Sequence, residues 1–337
     1  MKDCGLWQLP MTCENPAMTE LRFDDRVAIV TGAGAGLGRE YALLLGARGA
    51  RVVVNDYGGD TRGRGRSEEP AAAVAEEIRS AGGIAVANSY SVAESEAGAA
   101  IVTEAVERFG RVDIVIHNAG IGGGIGAFED LKDHHLEAVM RTHLFGAFHV
   151  LRPAWRIMKA QGYGRVVNTS SATALGVEGS FDYPAAKAGL IGLSRSLAVD
   201  GRKHGIRVNA IMPLAYTRMA AGVQNEAIRE WMENTFPAQK VAALVAYLCH
   251  ETAPVSGEIF SVGGGRAARV TTNVFPGFKE SDPSIESIRD HWSDVMSGGD
   301  PVVAIDGAAD AALMDDGFSS ISGTSLEAAD EKDEMLR

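Results

Sequence analysis

From about residue 26 to residue 265 the chain alternates between two kinds of segment, and this alternation limits what it can fold into. Seven short runs are apolar and β-branched at their centres: "RVAIVTG", "ARVVVND", "GIAVANS", "VDIVIHNAG", "GRVVNTSS", "IRVNAIMP" and "GEIFSVGGG". Between them lie Ala-rich stretches with helical periodicity, such as 70–81, 95–109, 130–160, 183–204 and 238–250. Runs that are apolar on both faces fit central strands of a parallel sheet covered by helices on either side. Strand and helix in repeated succession, joined by right-handed crossovers, predict an α/β fold: a Rossmann-like, doubly wound, seven-stranded parallel sheet. Neither a linker nor an internal repeat interrupts the pattern, so residues 22–265 read as one domain.

The two ends read differently. Residues 1–21 resemble an arm, and Cys4 and Cys13 on it read as unpaired thiols. After Gly265 the sheet pattern stops. "SIESIRDHWSDVMS" (284–297) reads as one amphipathic helix within a C-terminal extension, 266–303. Residues 304–337 are acidic, rich in Ala, Ser, Gly and Asp, and are expected to be mobile.

Charge excludes one class of partner. The formal net charge is −12, whereas a nucleic-acid binder needs an excess of Lys and Arg to meet phosphates. No apolar run reaches membrane-spanning length. With three cysteines, no signal-peptide pattern and a C-terminal "DEMLR" unlike a peroxisomal or retention signal, the expected location is cytoplasmic. No metal site is expected.

"VAIVTGAGAGLG" places glycines where the first strand turns into the first helix. Small residues there let the backbone approach a pyrophosphate, and the helix N-terminus offers unpaired N–H groups and positive dipole. Gly32, Gly36 and Gly38 carry the spacing, with Gly34 between them and Leu37 at the turn. Asp56 follows eighteen positions after Gly38. An acidic residue there accepts hydrogen bonds from the adenosine ribose and repels a 2′-phosphate, so NAD is expected and NADP is less favoured. The loop "TRGRGR" (Arg62, Arg64, Arg66) keeps a phosphorylated ligand open.

Tyr183 and Lys187 are four residues apart and share one helix face. A nearby ammonium stabilises a phenolate and lowers a tyrosine pKa. Alone, the pair is weak. In order with the glycine turn, "HNAG" after the fourth strand and a serine ending the fifth, it resembles the short-chain dehydrogenase/reductase superfamily over about 22–265. Within it, "LRFDDRVAIVTGAGAGLGREYALLL", "VVVNDYGGD", "HLFGAF", "AAKAGLIGLSRSLAVDGRK" and "YLCHE" are similar to the (3R)-hydroxyacyl-CoA dehydrogenase unit of peroxisomal multifunctional enzymes of type 2, also called 17β-hydroxysteroid dehydrogenase type 4.

The resemblance implies roles. Tyr183 is the acid/base, Lys187 lowers its pKa and holds the nicotinamide ribose, and a serine at 170–171 bonds the substrate oxygen. Asn118, Ala119, Gly120, Ser91, Val92, Pro213 and Thr217 join the glycine turn in lining the cofactor groove. His143 stands where the superfamily usually has Asn, whose backbone carbonyl holds a relay water; a His supplies the same carbonyl. Two counts give different serines. The usual spacing of thirteen back from Tyr183 lands on Ser170, while the register of the strand lands on Ser171. Ser171 is favoured, because a strand resists a slip that turns its side chains over and a loop absorbs a deletion.

Three positions depart from the pattern. Tyr90 stands where an Asp usually contacts adenine, Leu214 follows Pro213 in place of a glycine, and "GIGGGIG" (120–126) replaces a more polar loop.

The implied activity is NAD-dependent interconversion of a secondary alcohol and a ketone, the substrate being a (3R)-3-hydroxyacyl-CoA, with bulky and steroid-derived acyl groups among the candidates. Arg218, Arg229 and Lys240 are candidates for CoA phosphates. The alternatives are a hydroxysteroid or other lipid-alcohol dehydrogenase without CoA and, more remotely, a non-catalytic dinucleotide-binding protein. Homodimers or homotetramers through the 130–160 and 183–204 helices are implied by resemblance.

Overall fold

The computed structural model describes residues 20–218, 225–304, 307, 310 and 314. Almost all of the arm, including Cys4 and Cys13, and nearly all of the 304–337 tail lie outside these residues. All seven expected strands form: β1 (Val27–Thr31), β2 (Arg51–Asn55), β3 (Ile84–Asn88), β4 (Ile114–His117), β5 (Gly164–Thr169), β6 (Ile206–Pro213) and β7 (Ile259–Gly263). They are mutually parallel, in the order β3-β2-β1-β4-β5-β6-β7.

Helices cover both faces. On one, α1 (Gly36–Ala47), α2 (Glu69–Ser80) and α8 (Gln239–Cys249) bury Leu45, Ile78 and Leu248 against the sheet. On the other, α3 (Ser95–Phe109), α5 (Gly146–Gln161) and α6 (Asp182–Gly201) bury Ile101, Met158 and Leu190. Side chains of this size, removed from water, contribute roughly 2 kcal/mol each. The chain runs outwards from β1 towards β2 and from β4 towards β5. The strand order therefore reverses between β1 and β4, where a doubly wound sheet opens a crevice at its carboxyl edge.

The sheet does not stop at Gly265. An eighth strand, β8 (Arg266–Val270), pairs antiparallel with β7 in the register Gly263↔Arg266. Gly264 and Gly265 have φ of +59° and +85°, the signature of a two-residue hairpin turn whose twist matches its strands. The strand is half exposed and carries Arg266 and Arg269, so it lacks the apolar run of a central strand.

The 130–160 stretch is not one helix either. α4 (Asp133–Met140) passes through a π-helical turn, Arg141–Phe145, into α5. At this turn the His117 ring meets the carbonyl of His143, and Gly146 lets the backbone lie against Val92, whose Cγ2 is 3.0 Å from where a Cβ would stand. Such turns free backbone groups from the helical ladder. The single helix expected over 284–297 is likewise two, α9 (Ile285–Asp290) and α10 (Trp292–Ser297), broken at His291, whose ring stacks on Phe278 at 4.2 Å. The remaining elements are α7 (Glu226–Thr235) and a small ladder of β9 (Asn273–Val274) with β10 (Val302–Val303).

Candidate active site

A cleft of about 500 Å3 opens at the carboxyl edge of the sheet over β1 and β4. Its first wall is the glycine turn. Gly32 and Gly36 take φ of +63° and +55°, which a Cβ penalises. Gly32, Gly36 and Leu37 line the cleft. Gly34 and Gly38 stand behind it and permit close packing: a Cβ on Gly34 would lie 2.6 Å from Pro70, and one on Gly38 2.6 Å from the Asn118 amide nitrogen. The first turn of α1 has no side-chain cap, so the positive end of its dipole is left to whatever enters the cleft.

Asp56, just past β2, is nearly buried at the rim. Its Oδ2 accepts from Gly34 N at 2.8 Å and its Oδ1 from Gly58 N at 2.7 Å, which leaves lone pairs towards the cleft. Ser91, Val92 and the half-exposed Tyr90 continue this wall. Arg62 lines the cleft, whereas Arg64 pairs with Asp60 and Arg66 bonds Ser89.

The floor comes from the end of β4. The Thr31 hydroxyl accepts the N–H groups of Asn118 and Ala119, both at 3.0 Å, and Asn118 Nδ2 donates to the carbonyls of Thr31 and Gly32. His117 was not singled out by its sequence context, yet it joins two elements. Its Nε2 is 2.9 Å from the His143 carbonyl and its Nδ1 is 3.3 Å from Thr31 Oγ1. A carbonyl only accepts, so Nε2 carries the proton and Nδ1 accepts from the hydroxyl. Burial holds His117 neutral, its pKa lowered to about 4. The His143 ring, also pushed well down by burial, sits edge-on to Tyr183 at 5.1 Å. Its Nε2 lies 3.1 Å from Ile121 N and 2.9 Å from Ile121 O. One nitrogen cannot accept and donate at once, so a single tautomer satisfies one of the two, and His143 Nδ1 has no partner.

Opposite stand Ser171, Tyr183 and Lys187, all lining the same cleft as Asn118, Ala119, Gly120, Pro213 and Thr217. Lys187 Nζ donates to Thr169 O at 2.6 Å and lies 5.4 Å from the Tyr183 ring centroid. Burial lowers the Lys187 pKa to about 7. Burial also raises that of Tyr183, against a hydrogen bond with Ser171 that lowers it. The two serines part company. Ser170 is buried and donates to Lys187 O at 2.7 Å, while the Ser171 hydroxyl faces Tyr183 and accepts from Thr173 N and Thr173 Oγ1. Of the other cations singled out in the sequence, Arg218 lines the cleft, Arg229 pairs with Glu226, and Lys240 donates to Thr235 O.

Among the described residues no helix is long and apolar enough to cross a membrane, and no cluster of three metal-binding side chains forms.

Comparison with known proteins gives the family. The sequence profile of the short chain dehydrogenase family matches residues 26–227. The chain is 43% identical over 282 residues to the mouse peroxisomal multifunctional enzyme type 2, covering 82% of this chain and 37% of that one. It is 42% identical over 273 residues to a short-chain type dehydrogenase/reductase of Mycobacterium tuberculosis, covering 80% of this chain and 94% of the relative. Among solved structures, the full-length peroxisomal multifunctional enzyme type 2 of Drosophila melanogaster superposes with a TM-score of 0.69 at 33% identity, over 92% of this chain and 50% of that one. A 7α-hydroxysteroid dehydrogenase with bound NADH and a 7-oxo bile acid gives 0.65 at 31% identity, over 72% and 95%. The chain thus spans little more than a third of the mouse multifunctional protein and half of the fly one. With a family profile across most of its sheet and one relative matched almost end to end, the chain belongs to the short-chain dehydrogenase family, oxidoreductases that act on alcohols and ketones with a nicotinamide dinucleotide.

Proposed function

We propose that the protein oxidises a secondary alcohol with NAD, and that the substrate is a (3R)-3-hydroxyacyl-CoA, bulky and steroid-derived acyl groups being among the candidates. One observation carries the reading: Ser171, Tyr183 and Lys187 converge at one end of a cleft whose other end is the glycine turn and Asp56. That cleft fits a dinucleotide, because Gly32 and Gly36 line it with bare backbone at φ of +63° and +55° and the α1 N-terminus is uncapped. When bound, the nicotinamide supplies the acceptor for hydride. Asp56 takes the ribose hydroxyls and disfavours a 2′-phosphate, which supports NAD over NADP.

Tyr183 receives the hydroxyl proton and Ser171 holds the substrate oxygen. A phenolate at Tyr183 and an ammonium at Lys187 stabilise each other across their short gap, offsetting the burial that opposes both charges. His143 is relay scaffold through its carbonyl, which His117 already orients with one hydrogen bond and which keeps a second lone pair.

The matches to peroxisomal multifunctional enzymes of type 2, whose (3R)-hydroxyacyl-CoA dehydrogenase unit the sequence resembles, support the acyl-CoA assignment. A second reading, a hydroxysteroid or other lipid alcohol without CoA, draws on the 7α-hydroxysteroid dehydrogenase match and on the exposed apolar side chains Ile125, Phe128 and Leu175 in the segments that follow β4 and β5. The engagement of Arg229 and Lys240 elsewhere also favours it.

We place the 22–265 unit in homodimers or homotetramers, for which the half-exposed Phe145, Phe148 and Val199 are available. Three cysteines, Cys249 being buried and free, support a reducing compartment such as the cytoplasm.

The test is a panel of CoA thioesters and matching free alcohols followed by NADH absorbance, with NADP as the comparison cofactor. Turnover of thioesters well above that of free alcohols supports the acyl-CoA reading, and equal turnover moves the assignment to the second. Absence of NADH across the panel overturns both.

A further inference from the structure

Asp182 opens α6 one residue before Tyr183, and its side chain is wholly buried. Its partners are backbone N–H groups on two separate segments. Oδ1 accepts from Tyr183 N at 2.7 Å and from Gly124 N at 3.1 Å, and Oδ2 accepts from Gly124 N at 3.0 Å. One carboxylate therefore grips both the first turn of the helix that carries Tyr183 and the glycine loop 120–126 beside it.

That loop is stitched to its surroundings at several points. Ile121 meets His143, Gly122 N donates to Thr61 O at 2.7 Å, and Gly126 N donates to Gly179 O at 2.9 Å. Gly123 lies so close to α6 that a Cβ there would stand 2.6 Å from both Asp182 Oδ1 and Tyr183 Cβ. Bare backbone thus packs directly on the root of the Tyr183 side chain, and the Asp182 carboxylate supplies the polar clasp at that contact. A contact within the first turn of α6 would need only the Tyr183 bond; the bonds to Gly124 reach 58 positions back along the chain.

We propose that Asp182 is a positioning residue. It sets the start of α6, and so the aim of the Tyr183 hydroxyl, and it holds loop 120–126 as a fixed wall of the substrate mouth. The inference rests on the reading of Tyr183 as the proton-transfer group.

Two variants of the full chain separate its two grips. Asp182→Asn keeps Oδ1, with its bonds to Tyr183 N and Gly124 N, but turns an amide N–H towards Gly124 N in place of Oδ2, so the hold on the loop is weakened first. Asp182→Ala releases both. For the asparagine variant we expect KM to rise about tenfold with kcat within about threefold of wild type; for the alanine variant we expect kcat to fall at least about tenfold as well. Hydrogen exchange of peptides spanning 120–131, measured without substrate, should quicken in both variants while β1 and β4 stay protected. Variants that melt earlier but keep wild-type kcat and KM would reduce Asp182 to a helix cap and overturn the proposal. So would equal kinetics for the asparagine and alanine variants, or unchanged exchange over 120–131. A wild-type enzyme inactive on the whole panel overturns the functional reading instead, and the exchange measurement still decides whether Asp182 holds the loop.

Discussion

The two ends of the sheet are built on opposite plans. At the carboxyl edge, polar groups face a cleft: the uncapped start of α1, the spare lone pairs of Asp56, and the hydroxyls of Ser171 and Tyr183. At the amino edge, charge is closed on itself. Asp113 is wholly buried and accepts from Val27 N at 2.9 Å and from Arg111 at 2.7 and 2.6 Å, with Arg26 at 3.4 Å. The Tyr163 ring lies between the guanidinium groups of Arg26 and Arg165, at 3.9 and 4.3 Å. One edge leaves hydrogen bonds for a ligand to complete; the other uses them to hold strands together. Function and stability should therefore separate along the strand direction.

The strongest way to break this contrast is a paired substitution. Tyr183→Phe should lower the oxidation rate by roughly 10^3-fold, the scale of positioned acid–base catalysis, with melting temperature nearly unchanged. Asp113→Ala should do the reverse. It strands Arg111 and a buried N–H and leaves Arg26 to Glu251, a loss of about 3 kcal/mol, while kcat per folded molecule stays at the wild-type value. Calorimetry with NADH-linked assays on both variants decides the matter, and a Tyr183→Phe enzyme as unstable as Asp113→Ala would erase the distinction.

Acid should attack the carboxyl edge through its histidines. His117 is held neutral in the fold with a pKa near 4, against an ordinary value of 6.5. The unfolded chain thus binds its proton first. Stability is intact above pH 6.5 and drains away as pH falls towards 4, by about 3 kcal/mol from His117, with His143 acting in the same direction. Denaturant melts from pH 7 to 4 should show this slope, and it should flatten in His117→Asn.

The finest separation concerns neighbouring residues. Ser171→Ala should cost roughly 10^2-fold in rate with little change in stability, because its hydroxyl faces Tyr183. Ser170→Ala should cost about 1 kcal/mol of stability, because its hydroxyl donates to Lys187 O inside the protein. Equal rate losses in the two variants would refute the assignment.

The carboxyl edge was largely legible in the sequence because its parts are local. A glycine turn, an acid after β2 and a Tyr–Lys pair on one helix face each announce themselves within a few residues. The two serines follow β5, which ends at Thr169, and both line the cleft, so strand alternation alone did not separate them. What stayed hidden depends on partners far along the chain. β8 leaves no mark of its own, because an edge strand of Ala and Arg has no central-strand signature. The π-helical turn was hidden because its partner, His117, lies 26 positions away. The grip of Asp182 on Gly124 leaves no local pattern at all.

The sequence by itself determined the class of fold and the chemical groups at the cleft, since hydrophobic periodicity and turn chemistry act over short range. Only the tertiary structure decided which serine meets Tyr183, which tautomer His117 takes, and which backbone wall the substrate mouth is given. Those outcomes depend on where two distant segments place a hydrogen-bond donor and acceptor within 3 Å or so of one another. Packing sets such distances, and no single segment encodes them.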